Sequence, residues 1–356
     1  MSDPGHERLL ADFASGRKAA LARAISIVEN HRPGFERLLA EWHPRVGRAR
    51  RIGLTGPPGA GKSTLGTSLT RHYRRAGLTV GIVAVDPTSP FTGGALLGDR
   101  IRMEDVALDP GVYIRSLATR GSLGGLSSAT RETCDVLDAF GIDRILIETV
   151  GVGQSELDVA RTADTTLVVL VPESGDSIQT LKAGLMEIAD VFTVNKADRP
   201  GADRLRNEIE IMLGMRSGGT MRNVPAHHGV DLSRNNLVKQ VRQAARDDEA
   251  ESWTPPVLGT AAAKEQGIDE LVEALDRHFR YLERSGTLRT RRRARLRERV
   301  VEVVEDKTRR RLWGDAATNA WLEERLPSLE SGAETPFGIA DALLSRSADL
   351  LARTTK

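Results

Sequence analysis

A single cysteine, Cys134, stands among 356 residues, which excludes an internal disulfide framework and fits a reducing compartment. No His or Lys lies near it in sequence to lower its pKa, so it reads as a small core residue and not as a nucleophile. Aromatic side chains make up only 4% of the chain, too few for an evident base-stacking surface. Neither sign of charge prevails: 51 Lys and Arg stand against 49 Asp and Glu, so nothing global argues for nucleic acid or a membrane surface. No window comes near the roughly 18 apolar residues needed to span a bilayer. Asp3, Glu7 and Asp12 lie near the start without a long apolar run, unlike a signal peptide or an anchor. No C-x-x-C occurs and no internal repeat is visible. These absences predict a cytoplasmic protein with no nucleic-acid and no membrane partner. Its length suits one large domain with additions, or two domains.

What is present begins with Gly56-Pro57-Pro58-Gly59-Ala60-Gly61-Lys62-Ser63-Thr64, which reads G-x-x-x-x-G-K-S. A short apolar strand signal, Ile52 to Thr55, precedes it; Leu65, Leu69 and Tyr73 follow at a helical four-residue spacing. A glycine-rich loop between a strand and a helix N-terminus points several backbone N–H groups inward and adds the positive end of the helix dipole. Residue types, spacing and flanks agree on a cradle for the polyphosphate of a nucleoside triphosphate, against a Gly/Pro-rich turn without ligand. Lys62 is placed to reach the β- and γ-phosphates, and the Ser63 hydroxyl to bind Mg²⁺.

Around this loop strand and helix signals alternate. Apolar strand candidates fall at 51–55, 79–85, 112–116, 144–148, 166–171 and 190–194, with amphipathic segments at 64–76, 100–107, 128–140, 155–163 and 178–188. Val80 to Val85 and Leu167 to Val171 are almost wholly apolar and valine-rich, as in parallel strands covered on both faces. The predicted fold is α/β: a P-loop NTPase with a mainly parallel central sheet and ligands at the carboxyl ends of its strands. Residues 1–48 form an N-terminal helical extension broken at Pro33-Gly34, 49–282 the nucleotide domain, and 283–356 a C-terminal helical region. Residues 214–256, with Gly214, Gly218-Gly219 and His227-His228-Gly229, are an excursion from the core, after which Pro255-Pro256-Val257-Leu258 reads as a last strand. His227 and His228 lack a third ligand nearby and read as loop residues over metal ligands. Arginine is dense from 289 to 299, but Glu298, Glu302, Glu305 and Asp306 follow within helical reach, which suits an ion-paired helix face over a nucleic-acid site. The tail, with Trp313, Trp321, Leu322 and Leu326, is richer in apolar residues than a lone hairpin needs, so an oligomer interface or partner surface is expected.

The second chemistry-bearing segment is Asn195-Lys196-Ala197-Asp198, after the strand Val191 to Val194. N-K-x-D at a strand end suits guanine. Its carboxylate accepts from N1–H and the exocyclic 2-amino group, its asparagine can bond N7 or O6, and the lysine stem can lie over the base. A site built to pair such groups rejects a base lacking them. The predicted nucleotide is therefore GTP or GDP, not ATP. In the third segment, Glu148 ends the strand Ile145 to Ile147, and Gly151 follows three positions later. That is where P-loop proteins approach Mg²⁺ and the γ-phosphate. Most GTPases carry Asp there; Glu148, one methylene longer, suits action through a coordinated water. Val152 stands where many GTPases place a water-orienting glutamine, which predicts slow intrinsic hydrolysis; Gln154 is a candidate substitute. Asp86 before Pro87 is either a Mg²⁺ contact or a turn residue. Asp99, in the glycine-rich loop 91–99, is either a nucleotide-sensing carboxylate or a helix N-cap.

Four longer motifs narrow the reading. Val85-Asp86-Pro87-Thr88-Ser89-Pro90, Gly93-Gly94-Ala95-Leu96-Leu97-Gly98-Asp99-Arg100, Thr119-Arg120-Gly121-Ser122-Leu123-Gly124-Gly125-Leu126-Ser127 and Glu148-Thr149-Val150-Gly151-Val152-Gly153-Gln154-Ser155-Glu156 resemble the MeaB/ArgK group within the metallochaperone class of P-loop GTPases. The resemblance covers about residues 5–200 closely and 255–356 by layout. It implies a G-protein chaperone that assists assembly, protection or reactivation of adenosylcobalamin-dependent methylmalonyl-CoA mutase, and a homodimer joined through C-terminal helices. It also implies that Lys62, Ser63, Asp86, Asp99 and Glu148 form the phosphate and Mg²⁺ site, with Lys62, Glu148 and Asp99 in catalytic roles, and that Glu173 to Lys182 is a switch loop. Gly259-Thr260-Ala261-Ala262 stands where many GTPases have a Ser-Ala pair, and Thr260, Ala261 and Ala262 are carried over as base contacts through backbone N–H groups. A nickel-insertion accessory role for hydrogenase or urease would bring His-rich tracts or Cys/His sites, and this chain has one Cys and seven scattered His. A transport-associated ATP-dependent kinase is opposed by the N-K-x-D segment.

Overall fold

The computed structural model describes residues 4–86, 103–118, 128–149, 155–172, 184–216 and 253–347. Seven strands, β1 (Arg50–Thr55), β2 (Val80–Asp86), β3 (Val112–Ala118), β4 (Arg144–Thr149), β5 (Thr165–Leu170), β6 (Val191–Asn195) and β7 (Val257–Thr260), pair in parallel in the order β3-β2-β4-β1-β5-β6-β7. Six of them fall where the apolar runs predict. The seventh starts at Val257, because Pro255 and Pro256 have no N–H to enter a ladder; the Pro256 carbonyl still accepts from Phe192 N at 2.9 Å. All six residues of β5 are buried. Its two opening threonines are satisfied inside: Thr165 Oγ1 lies 2.9 Å from His278 Nδ1, and Thr166 N donates to Asp190 Oδ2.

Alternate residues of the strands face opposite sides, and each side has its own helices. On one face, Val83, Val85, Ile145 and Ile147 pack with α1 (Pro4–Ala14), α2 (Lys18–Glu29) and α3 (Phe35–Trp42), and with the later helices Ser128–Phe140 and Ser155–Thr162. Phe13 stacks on Trp42 at 4.3 Å and meets Phe140 edge-on at 5.0 Å. On the other face, Ile52, Leu54, Ile82 and Leu146 pack with α4 (Lys62–Arg75) and the helix Ile268–Arg284. A third cluster joins β5 and β6 to the helix Ala202–Arg216 through Phe192, Leu170, Leu205 and Ile209. After α4 the helices of this part of the chain are α5 (Glu104–Ala107), α6 (Ser128–Phe140), α7 (Ser155–Thr162), α8 (Met186–Ile188), α9 (Ala202–Arg216) and α10 (Ile268–Arg284).

The chain divides into two compact units, 1–288 and 289–356. The first contains α1–α3 as well as the sheet. Beyond it, helix α11 (Thr287–Gly314) is followed by α12 (Ala316–Glu323), α13 (Leu326–Glu330) and α14 (Pro336–Arg346). Asp315 caps α12 by accepting from Thr318 N at 2.8 Å, and Thr335 caps α14 by accepting from Gly338 N. Along α11, Arg299 pairs with Glu302 and Arg310 with Asp306, at helical spacing.

Candidate nucleotide-binding site

A parallel sheet brings the carboxyl ends of its strands to one edge. Here that edge collects the loop after β1, Glu148 near the end of β4, Asn195 at the end of β6 and Thr260 at the end of β7. The loop is shaped by two close approaches. Gly56 has φ 137°, and a Cβ there would run into the Val169 carbonyl. Gly61, the N-cap of α4, has φ 83°, and a Cβ would lie 2.5 Å from Asn195 Nδ2. Only glycine satisfies both demands. Between them Pro57 to Ala60 turn so that Ala60 N donates to Pro57 O at 3.3 Å. Thr64 is exposed, whereas Lys62 and Ser63 are buried. The Lys62 ammonium donates to the carbonyls of Gly56, at 2.7 Å, and Pro57, at 3.1 Å.

Ser63 Oγ donates to Glu148 Oε1 at 2.6 Å, a short bond typical of a hydroxyl on a carboxylate. Glu148 is buried and lies in register with Leu54 of β1 and Ala84 of β2. The sequence places these two oxygens 85 positions apart; the pairing of β1 with β4 makes them neighbours. Of Asp86 the backbone is described, at the end of β2 beside Ala118. Asp99, Val152, Gln154, Glu173 to Lys182, His227 and His228 lie outside the described residues.

The base corner is tied to the loop by one side chain. Asn195 Nδ2 donates to Ala60 O at 2.9 Å, and its Oδ1 accepts from Ala262 N at 3.1 Å and Thr260 Oγ1 at 3.3 Å. The asparagine expected at the guanine edge thus already bonds the protein at three points, one in the phosphate loop and two in the 260–262 segment. Two N–H groups expected at the base are also engaged in the turn: Ala262 N on Asn195, and Ala261 N on the Gln266 carbonyl at 3.1 Å. Lys196 adopts φ 56°, the left-handed region, so the chain turns sharply after β6. Asp198 follows, exposed, with its Oδ2 2.7 Å from Lys264 Nζ. The Lys264 hydrogen bond is the main cause that holds the Asp198 carboxyl below its ordinary range. Nothing in local spacing singles out Lys264, which lies beyond the Thr260–Ala262 segment; the contact forms only when the turn after β7 folds beside β6.

The donor set is therefore a glycine-rich cradle at a helix N-terminus, one buried ammonium, a hydroxyl with a carboxylate, and a separate exposed carboxylate. The first two suit a polyphosphate. Hydroxyl and carboxylate oxygens suit a hard cation such as Mg²⁺, which takes few protein ligands and shares its shell with phosphate and water. Among the described residues no helix is long and apolar enough to cross a membrane.

Comparison with known proteins agrees with this geometry. The family model described as methylmalonyl-CoA mutase-associated GTPase MeaB matches residues 21–317. A protein of Pyrococcus horikoshii named as a GTPase is 42% identical over 340 residues, covering 96% of this chain and 98% of its own. The GTPase ArgK of Escherichia coli is 32% identical, covering 90% of each chain. The methylmalonic aciduria type A homolog of Mus musculus, a mitochondrial protein, is 31% identical, covering 95% of this chain and 78% of its own. A solved structure described as a LAO/AO transport system kinase aligns with TM-score 0.63 and 25% identity over 99% of both chains.

Proposed function

Because the chain belongs to the family of methylmalonyl-CoA mutase-associated GTPases, we propose that it hydrolyses GTP with Mg²⁺ and serves as a metallochaperone-type G protein for adenosylcobalamin-dependent methylmalonyl-CoA mutase. Its relatives are named GTPases, and the parallel sheet with its phosphate loop is the fold that this activity uses. The observation that carries the nucleotide reading is the Asn195 side chain, which joins the loop at Ala60 to the corner at Ala262. One ligand with phosphates at one end and a base at the other would touch both, and Asn195 holds the two at a set separation.

In this reading the backbone of 56–64 cradles the phosphates, and the Lys62 ammonium exchanges its loop carbonyls for phosphate oxygens. Ser63 and Glu148, with Asp86 and Asp99, would hold Mg²⁺, whose charge offsets that of the β- and γ-phosphates. Lys196 and Asp198 face the base, with Thr260 to Ala262 behind them. Val152 in place of a glutamine keeps intrinsic turnover slow, so a partner is expected to accelerate it. The helical region 283–356 would join two copies as a homodimer.

Ligand-dependent melting tests the nucleotide. At about 100-fold excess over Kd, the right ligand adds roughly 2.7 kcal/mol. GDP and GTP are expected to protect and ATP not; equal protection by ATP would overturn the guanine assignment. The partner is tested by pull-down of methylmalonyl-CoA mutase with and without a non-hydrolysable GTP analogue. Binding insensitive to nucleotide, or none, would count against the chaperone role.

A further inference from the structure

Lys264 closes the 3₁₀ turn Ala262–Lys264 after β7, and its Nζ sits 2.7 Å from Asp198 Oδ2. Both ends of the pair are mounted on fixed backbone. On the Lys264 side, the Ala262 carbonyl accepts from Ser68 Oγ at 3.0 Å, Ala262 N donates to Asn195, and Glu265 is held by Arg71 at 2.8 Å. On the Asp198 side, Ala197 N donates to Thr260 O at 2.8 Å and Arg199 N to Lys196 O at 2.9 Å. The ammonium is thus presented to one carboxylate oxygen by a turn that α4 and β6 both hold.

With side chains 58% and 32% exposed, such a pair adds little to folding stability. Its weight changes when a purine covers Asp198. Guanine offers the carboxylate two N–H donors but no positive charge, and covering an anion without a counter-ion is costly. Lys264 supplies the counter-ion from the side. A carboxylate has about four lone-pair sites, so Lys264 on Oδ2 leaves room for both base donors. Arg199 also contributes positive charge near Asp198, but Lys264 makes the hydrogen bond.

We propose that Lys264 is a positioning residue for base recognition: it fixes the orientation and charge of the Asp198 carboxylate and so sets the preference for guanine. The inference rests on the guanine reading given above. The test uses the full chain with K264M, K264R and D198A, and calorimetric Kd values for GDP and for IDP, which lacks the 2-amino group. K264M is expected to weaken GDP about tenfold and IDP clearly less, so that the ratio of the two falls. K264R should restore the ratio. A folding defect would weaken GDP and IDP alike, since they share their phosphates; that result overturns the proposal. So does a K264M protein whose two affinities stay within about twofold of the parent while D198A loses GDP, a result that leaves the guanine assignment standing. If D198A itself binds GDP normally, the guanine assignment falls and the inference with it.

Discussion

Asparagine heads the N-K-A-D segment because its amide is both donor and acceptor. Nδ2 serves the Ala60 carbonyl while Oδ1 serves Ala262 N and Thr260 Oγ1. An aspartate there would set its oxygen against a carbonyl and leave that carbonyl without a donor. Cys134 makes a different point. Burial pushes its thiol from 9.0 up to about 12, and nearby Arg51 only partly offsets this. The thiol therefore stays protonated in the native chain at pH values where an unfolded chain has lost the proton. The native state binds the extra proton, so stability is complete below pH 9 and falls as pH rises toward about 12. The slope from this one group is at most about 1.4 kcal/mol per pH unit. Tyr73, whose phenol burial also raises, adds to the same slope in both proteins. Urea midpoints between pH 8 and 11 should therefore fall less steeply for C134A than for the parent; identical slopes would refute the assignment.

At the scale of elements, the join between α3 and β1 depends on Asp138 of α6. Its carboxylate accepts from Gly47 N at 2.8 Å, Arg48 N at 3.0 Å and Ala49 N at 2.9 Å, and meets Arg51 at 3.2 Å. Asp138 is 1% exposed. Removing one partner of a buried charge network costs about 3–5 kcal/mol. D138A should lower the unfolding free energy obtained from urea titration by that amount and speed tryptic cleavage near Arg45 and Arg48. A loss under about 1 kcal/mol would mean that the three N–H groups find other acceptors. The same scale shows what periodicity reveals and omits. Apolar runs locate strands because a buried parallel strand must be apolar on both faces. The helical pattern before residue 45 locates helices, but not that Phe13, Leu21 and Trp42 pack into the core of one sheet face. That packing pairs them with α6, which starts far along the chain, and no local period encodes it.

For the whole molecule, α11 leaves Leu296, Val300 and Val304 exposed at four-residue spacing, 56%, 63% and 56% respectively. A row of apolar residues along one helix face is where a partner surface is expected. If the proposed homodimer uses it, L296E with V300E and V304E should turn a dimer into a monomer in light scattering after size exclusion, with GDP protection in melting unchanged. A parent chain that is already monomeric at micromolar concentration would rule the homodimer out. The phosphate loop, the N-K-A-D segment and the alternation of strands and helices are legible in the residues alone, because each depends on backbone conformation and burial over a few neighbouring residues. That Ser63 meets Glu148, that Asn195 bonds the protein at three points and that Lys264 faces Asp198 emerges from the assembled fold. Those pairs lie on separate strands or turns, and the order of strands in the sheet, which no local spacing records, brings them within hydrogen-bonding distance.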